Sequence, residues 1–444
     1  MYGTSPVEMT DPARPDMNAP AENVIPLPVQ RRHMPGLDGL RGLAILVVLI
    51  HHFTPAVSGS AMTRSMLEVA HTGWIGVDLF FVLSGFLITG ILLDTRHTPG
   101  YFRNFFARRT LRIAPVYYGT LAVIFGLVPL LVWMGWRSET VVWLFGKTAD
   151  ELAVLSEHQG WLWAYLTNFK IGYDQTRWGV VNHFWSLAVE EHFYLVWPFV
   201  VYFCSRRALL WVCGACIVGA PVLRGVLVGM GFDSVVPYVL TPTRVDSLAW
   251  GGLTAALVRS GVASHLPKLA ITAAVGSAVL LIAIAGGYGR FPPDDPLTTI
   301  LGYSMLAMLF ASFTFAASGA TRASPLGRVL CQRWLMSLGK YSYGIYVLHH
   351  FLQVPAQRLF HWSSLTSLTG SYLHAIILHA ALAIAMSCAV AFVVFHVFEK
   401  HFLKLKDRFE YRAPARTPVP ARVTPSLPTA PPAPQPVPKP AVAA

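Results

Sequence analysis

Apolar runs close to the length of a membrane-crossing helix recur along nearly the whole chain, separated by short segments that carry most of the charge. They lie near residues 38–56, 74–93, 113–134, 185–203, 208–223, 244–258, 268–286, 297–318, 334–353 and 372–398. A helix needs about 20 residues to cross the hydrocarbon core of a bilayer. Only helices and closed barrels satisfy every backbone polar group there, and barrel strands would alternate with period two, which these runs do not. Of the 444 residues, 54% are hydrophobic and 13% charged, against about 25% charged in soluble domains. Too little polar surface remains to cover such a chain in water. The expectation is an all-α polytopic bundle of about ten transmembrane helices spanning residues 37–402, between a polar leader (1–36) and a basic, Pro/Ala-rich tail (403–444).

Charge orients the bundle. With the N-terminus in the cytoplasm, inside segments hold 24 of the 34 Lys and Arg and outside segments 8, Arg224 among them. That bias follows the positive-inside rule and predicts a plasma (inner) membrane protein with both termini cytoplasmic. It also explains the net charge of +12 without nucleic acid. The weak point is Trp161–Phe169, read as re-entrant or interfacial, because a full span there inverts everything downstream. The first apolar run begins near Leu40, later than in a secretory signal, so a retained first helix is expected. The tail after Glu410 holds 11 prolines in 34 residues and is expected to be disordered or polyproline-like. Cys213 and Cys216 form a C-x-x-C on an apolar helix with no second pair, which reads as packing. No inverted internal repeat of the transporter kind is visible.

Several ionisable residues fall inside or beside the apolar runs, where they normally line cavities or functional paths. Asp38 reads as the N-cap of the first helix. Arg41 and His52 are eleven apart, three helical turns plus about 20°, so they share a face about 16 Å apart along the axis. A cation at the mouth with a base deep on the same face suits a long, phosphate-headed donor such as an acyl-CoA, and neutral His is the usual general base. Asp78 and Ser84 lie on the second helix. Arg109 and Arg112 are i,i+3 neighbours at the cytoplasmic surface, and their planar forks suit phosphates. Snorkelling or lipid headgroups would account for such arginines equally well. Ser186, Glu190 and Tyr194 follow i,i+4 spacing, with Glu191 beside them. These acids could orient a base, bind sugar hydroxyls or hold the bundle together. Arg244 and Asp246 read as an ion pair. His349 and His350 close the ninth helix, but no H-x-x-x-H spacing or Cys/His cluster supports a metal, and none is expected.

In order along the chain, these motifs resemble the acyltransferase 3 family of integral membrane acyltransferases. The matching residues are Leu37-Asp38-Gly39-Leu40-Arg41 with His52, Gly76-Val77-Asp78 with Ser84-Gly85-Phe86-Leu87-Ile88, and Arg109-x-x-Arg112-Ile113-x-Pro115. Further matches are Trp185-Ser186-Leu187-x-Val189-Glu190-Glu191-x-Phe193-Tyr194, Arg244-x-Asp246, and Ser342-Tyr343-x-Ile345-Tyr346-x-x-His349. The resemblance implies an enzyme that takes an acyl group, commonly acetyl, from cytoplasmic acyl-CoA to a hydroxyl of an envelope or secreted carbohydrate or glycolipid. Arg41 and His52 would be its central pair, assisted by Glu190 and Glu191, with Arg41, Arg109 and Arg112 on the donor. Asp78, Ser84, Ser186, Tyr194 and His349 would lie against substrate. The family's fused outer SGNH-type domain is not expected here, so an envelope-biosynthesis partner would be separate. Two departures are His192, where the family pattern usually has an amide, and His51, which doubles the key histidine. The rival readings are a transporter or flippase of a lipid-linked saccharide using the same buried charges, and a non-catalytic receptor with a proline-rich tail.

Overall fold

The computed structural model describes residues 34–55, 61–135, 155–260, 265–288 and 291–411. Among these the chain is helical, with no strand. The main helices are α1 Pro35–Phe53, α2 Ala61–His71, α3 Gly76–Thr95, α4 Tyr101–Ala122, α5 Phe184–Phe203, α6 Arg206–Gly229, α7 Thr241–Val258, α8 Leu266–Tyr288, α9 Tyr303–Ser318, α10 Arg333–Leu348 and α11 Tyr372–Val394. Among the described residues seven helical stretches are long and apolar enough to cross a membrane, and they include α1, α3, α4, α6, α8, α9 and α11. The other three expected spans form as helices but fall short of that measure. Two of them carry charge, Glu190 and Glu191 on α5 and Arg244 and Asp246 on α7, and α10 is 16 residues long. Charges aimed into the bundle lower a helix's mean hydropathy even where its outer face is apolar.

Several boundaries differ from the sequence reading. Met34, not Asp38, is the N-cap of α1, and Pro35 opens the helix. A proline fits there because the first helical N–H has no partner in any case. The segment between the second and third expected spans is mostly the first half of α4, so Arg108, Arg109 and Arg112 project from a helix, as the i,i+3 reading of Arg109 and Arg112 requires. Arg224, counted with the outside loops, lies within α6 and is fully buried. Residues 159–163 and 167–174 form two helices too short to span. Helix continues through Phe409. The Pro-rich segment from residue 412 onward lies outside the described residues.

Glycines set which helices touch. A methyl group on Gly42 would lie 2.0 Å from the Leu335 carbonyl, and one on Gly339 1.9 Å from that of Asp38. The backbones of α1 and α10 are therefore in direct contact, as small residues allow in membrane bundles. Gly85 and Gly251 do the same for α3 and α7, 1.9 Å from Leu248 O and 2.0 Å from Val82 O.

Buried ion pairs then pin the second contact. Arg244 donates to Asp78 at 2.6 Å and Arg224 to Asp246 at 2.9 Å, all four side chains fully buried. Arg244 and Asp246 are thus not paired with each other. Two residues apart on a helix they point about 200° apart, and each finds its partner on a neighbouring helix. Ser247 also donates to Asp78, and Ser304 to Asp246. Arg244 sits 4.1 Å over the Tyr303 ring, adding cation–π attraction where both side chains are fully buried. On the outside of the bundle, α8 exposes Leu269, Ile271, Val275, Val279, Leu280 and Ile282, a face suited to lipid.

Candidate active site

A cavity of about 810 Å³ opens between α1, α3, α4, α5 and α10. Its mouth is basic. Arg41 comes from α1, Arg108, Arg109 and Arg112 from α4, and Lys406 from the last helical turn of the chain. Some of these cations are already engaged. Arg112 pairs with Glu399 at 3.2 Å, Arg108 donates to the Lys406 carbonyl at 2.9 Å, and Arg259 is held bidentate by Asp94. Arg41 and Arg109 are different: among the described residues neither meets a carboxylate within ion-pair distance. Arg109 stands 5.6 Å from the centre of the Tyr194 ring. Two guanidinium groups without a carboxylate partner, facing one cavity, have the charge and donor geometry that suit an anion.

Deeper in, the wall is polar and internally bonded. Tyr194 donates to Ser84 at 3.0 Å, and Ser84 in turn donates to Glu190. Ser186 and Tyr346 share a short hydrogen bond, and both hydroxyls reach the His183 carbonyl, at 3.0 and 3.3 Å. Ser186, Glu190 and Tyr194 do share one face of α5, and all three line the cavity. Glu191 is absent from that lining, and its Oε1 is buried with no hydrogen-bond partner among the described residues. Asp78 lies outside the cavity, engaged by Arg244 and Ser247. His192 bonds Thr241 through Nδ1 at 2.7 Å, the kind of polar bridge an amide also makes.

Arg41 and His52 part company in the folded chain. Arg41 lines the large cavity, whereas His52 lines a second, small one of about 30 Å³ with Gln353, Gln357 and His379. Tyr346 lines the large cavity, and His349 packs between it and His52. The His349 ring is 5.5 Å from that of Tyr346 and 4.9 Å from that of His52. His350 closes on His52 at 4.8 Å, and His183 stacks on His350 at 4.7 Å. His51 turns away and binds the His71 carbonyl at 2.8 Å, which leaves the R-x10-H histidine, His52, in the bundle interior.

Tyr346, seen in the sequence only as part of a motif, His350, seen only as a doubled histidine, and His183, without an assigned role, all stand at this junction. Ser342 and Tyr346, at i,i+4 on α10, carried a signal for one cavity face. Lys406 and Tyr411 also line the cavity, and nothing local in the sequence marks them.

The profile of a family described as an acyltransferase domain matches residues 34–396. The chain is 30% identical over 396 residues to YrhL of Bacillus subtilis (strain 168), a protein named as a peptidoglycan O-acetyltransferase, covering 83% of this chain and 55% of that one. It is 27% identical over 341 residues to the O-acetyltransferase OatA of Staphylococcus aureus (strain NCTC 8325 / PS 47), covering 72% and 50%. The chain thus spans about half the length of these relatives. No solved structure matches it.

Proposed function

The chain belongs to the acyltransferase 3 family, and on that footing we propose that it transfers an acyl group, acetyl in the first instance, from acyl-CoA to a hydroxyl of an envelope or secreted carbohydrate. The observation that carries this reading is the cavity whose mouth presents Arg41 and Arg109 without carboxylate partners and whose inner end is the Ser186–Tyr346 pair. A phosphate-rich head fits the mouth, and a narrow arm ending in a thioester fits the interior between the apolar side chains of Phe81, Leu83 and Leu187 and the polar wall of Ser84 and Ser186. By the positive-inside rule this mouth faces the cytoplasm.

The two cavities divide the work between the substrates. The donor enters from the basic side. The acceptor hydroxyl enters at the small cavity, where Gln353 and Gln357 stand beside His52. His52 donates from Nδ1 to the Val48 carbonyl at 2.9 Å, which fixes the neutral tautomer and leaves the Nε2 lone pair as the base. In the step itself the hydroxyl oxygen attacks the thioester carbonyl as its proton passes to His52 Nε2. A C–O bond forms, the C–S bond breaks, and the CoA thiolate takes up the proton. His349 touches both Tyr346 and His52 and marks where acyl carbon and hydroxyl meet. Glu190, reached through Ser84 and Tyr194, orients the donor arm.

The test compares extracted envelope and secreted glycans by mass spectrometry in wild type, a deletion strain, and the deletion carrying His52→Ala. Loss of an acetyl-sized mass in both mutants, with the protein still in the membrane, is the expected result and names the acceptor. If all glycans keep their acyl groups while one fails to reach the surface, the chain is a transporter and the reading is wrong.

A further inference from the structure

Three histidines meet where the two cavities adjoin. His52 comes from the end of α1, and His349 and His350 follow the end of α10. Their rings form a near-equilateral triangle, with centroids 4.9, 4.8 and 5.4 Å apart. The ring planes are inclined to one another by 65°, 71° and 85°, like blades around a common axis. Each residue offers one ligand atom, and these atoms all lie within 4.8 Å of one another.

The hydrogen bonds decide which nitrogens face the centre. His52 Nδ1 lies 2.9 Å from the Val48 carbonyl and His349 Nδ1 lies 2.7 Å from that of Tyr346. A carbonyl only accepts, so both Nδ1 atoms carry the hydrogen and both Nε2 atoms keep the lone pair. Metal-ligating histidines are normally fixed this way, with the far N–H held by a carbonyl. His349 Nε2 and His350 Nδ1 are buried and have no hydrogen-bond partner among the described residues. Buried polar atoms left unmatched call for a missing partner such as a water or an ion. His183 lies flat against His350, 12° from parallel, and holds that ring in place.

We propose that His52, His349 and His350 form a binding site for a borderline transition-metal cation such as Zn²⁺. Neutral imidazole is the ligand such ions prefer, and three imidazoles with an open fourth position make a known zinc geometry. Bonds of about 2.0–2.1 Å place tetrahedral ligand atoms about 3.4 Å apart, so the nitrogens must close by about 1.4 Å at most. The small cavity beside His52 has room for the water that completes the shell. An alkaline-earth ion is excluded by chemistry, since it demands oxygen ligands and the group contains only imidazoles. A bound cation takes the His52 lone pair, so it shuts off transfer; only this last consequence rests on the proposed reaction.

The experiment uses the full chain purified in detergent through a tag free of histidine, stripped by a chelator, then titrated with Co²⁺ and, in competition, with Zn²⁺. The expected result is one cobalt per chain with the intense visible bands of a four-coordinate site, displaced by Zn²⁺. His349→Gln and His350→Gln weaken binding on the order of a hundredfold, while His379→Gln, outside the triangle, leaves it unchanged. Melting temperatures of the variants separate ligand loss from misfolding. Equal binding by a well-folded His350→Gln chain, or no saturable one-to-one cobalt signal in the parent, overturns the site. If binding is confirmed and Zn²⁺ fails to inhibit acyl transfer, the site stands and the assignment of His52 as base falls.

Discussion

Asp78 and Arg244 meet at 2.6 Å where α3 crosses α7, with both side chains fully out of solvent. The pair sits beside the Gly85–Gly251 contact, so the same two helices are locked by backbone approach and by charge. It places Ser84, one turn and a half further along α3, against Glu190 of α5.

Breaking this pair leaves a buried charge alone. Asp78→Ala or Arg244→Ala is expected to cost about 3–5 kcal/mol, read as a lower melting temperature in detergent and less protein in the membrane. The exchange Asp78→Arg with Arg244→Asp should recover part of the loss. A parent-like melting curve for either single variant would show that the pair does not hold α3 on α7.

Arg41 and Arg109 should govern donor affinity. A charge-assisted hydrogen bond is worth about 1.5–3 kcal/mol, so Arg41→Ala and Arg109→Ala should each raise KM for acyl-CoA by roughly ten- to a hundredfold. Arg259→Ala, whose guanidinium is already held by Asp94, should have a much smaller effect. Equal KM changes at all three positions would remove the distinction between unpaired and paired cations.

His52→Ala should lower transfer by about 10²- to 10⁴-fold, the usual worth of a general base. His51→Ala should be far milder, because that ring bonds the His71 carbonyl at the edge of the bundle. The reverse order of effects in a membrane assay with labelled acetyl-CoA would move the base to His51.

Gly42→Ala introduces a methyl group 2.0 Å from the Leu335 carbonyl. The forced separation of α1 from α10 should cost about 1–3 kcal/mol and also reduce turnover, since it carries His52 away from His349. Lost stability with unchanged turnover would show that the contact supports the fold but not the site.

Removing residues 412–444 should leave acyl transfer intact, whereas ending the chain at residue 404 should weaken acyl-CoA binding. Lys406 and Tyr411 line the donor cavity, and Arg108 is held by the Lys406 carbonyl. Activity lost on the shorter deletion would favour a role for the Pro-rich segment in partner binding.

Most of the fold was legible because the bilayer imposes a length and a period on every helix. Among the described residues helix lies at each expected position, but only seven stretches are long and apolar enough to cross a membrane, and α5, α7 and α10 fall short of that measure. The shared faces of Ser186, Glu190 and Tyr194 and of Arg109 and Arg112 followed from helical spacing alone, and all five residues line one cavity. Other assignments turned on neighbours that spacing cannot supply. Asp78 faced Arg244 rather than the cavity, and the nearby Arg244 and Asp246 diverged to separate partners.

By itself, then, the sequence determined a helical membrane bundle, the uneven spread of Lys and Arg along it and the side chains that share a face within one helix. Those properties depend on hydropathy, charge and the 3.6-residue turn, all local to a segment. The tertiary structure alone decided which charges are neutralised and which face the cavity, and it alone brought His52 to His349 and His350 across about 300 residues. That meeting depends on how closely α1 can approach α10. The close approach is set by Gly42 and Gly339, whose missing side chains let one backbone touch the other.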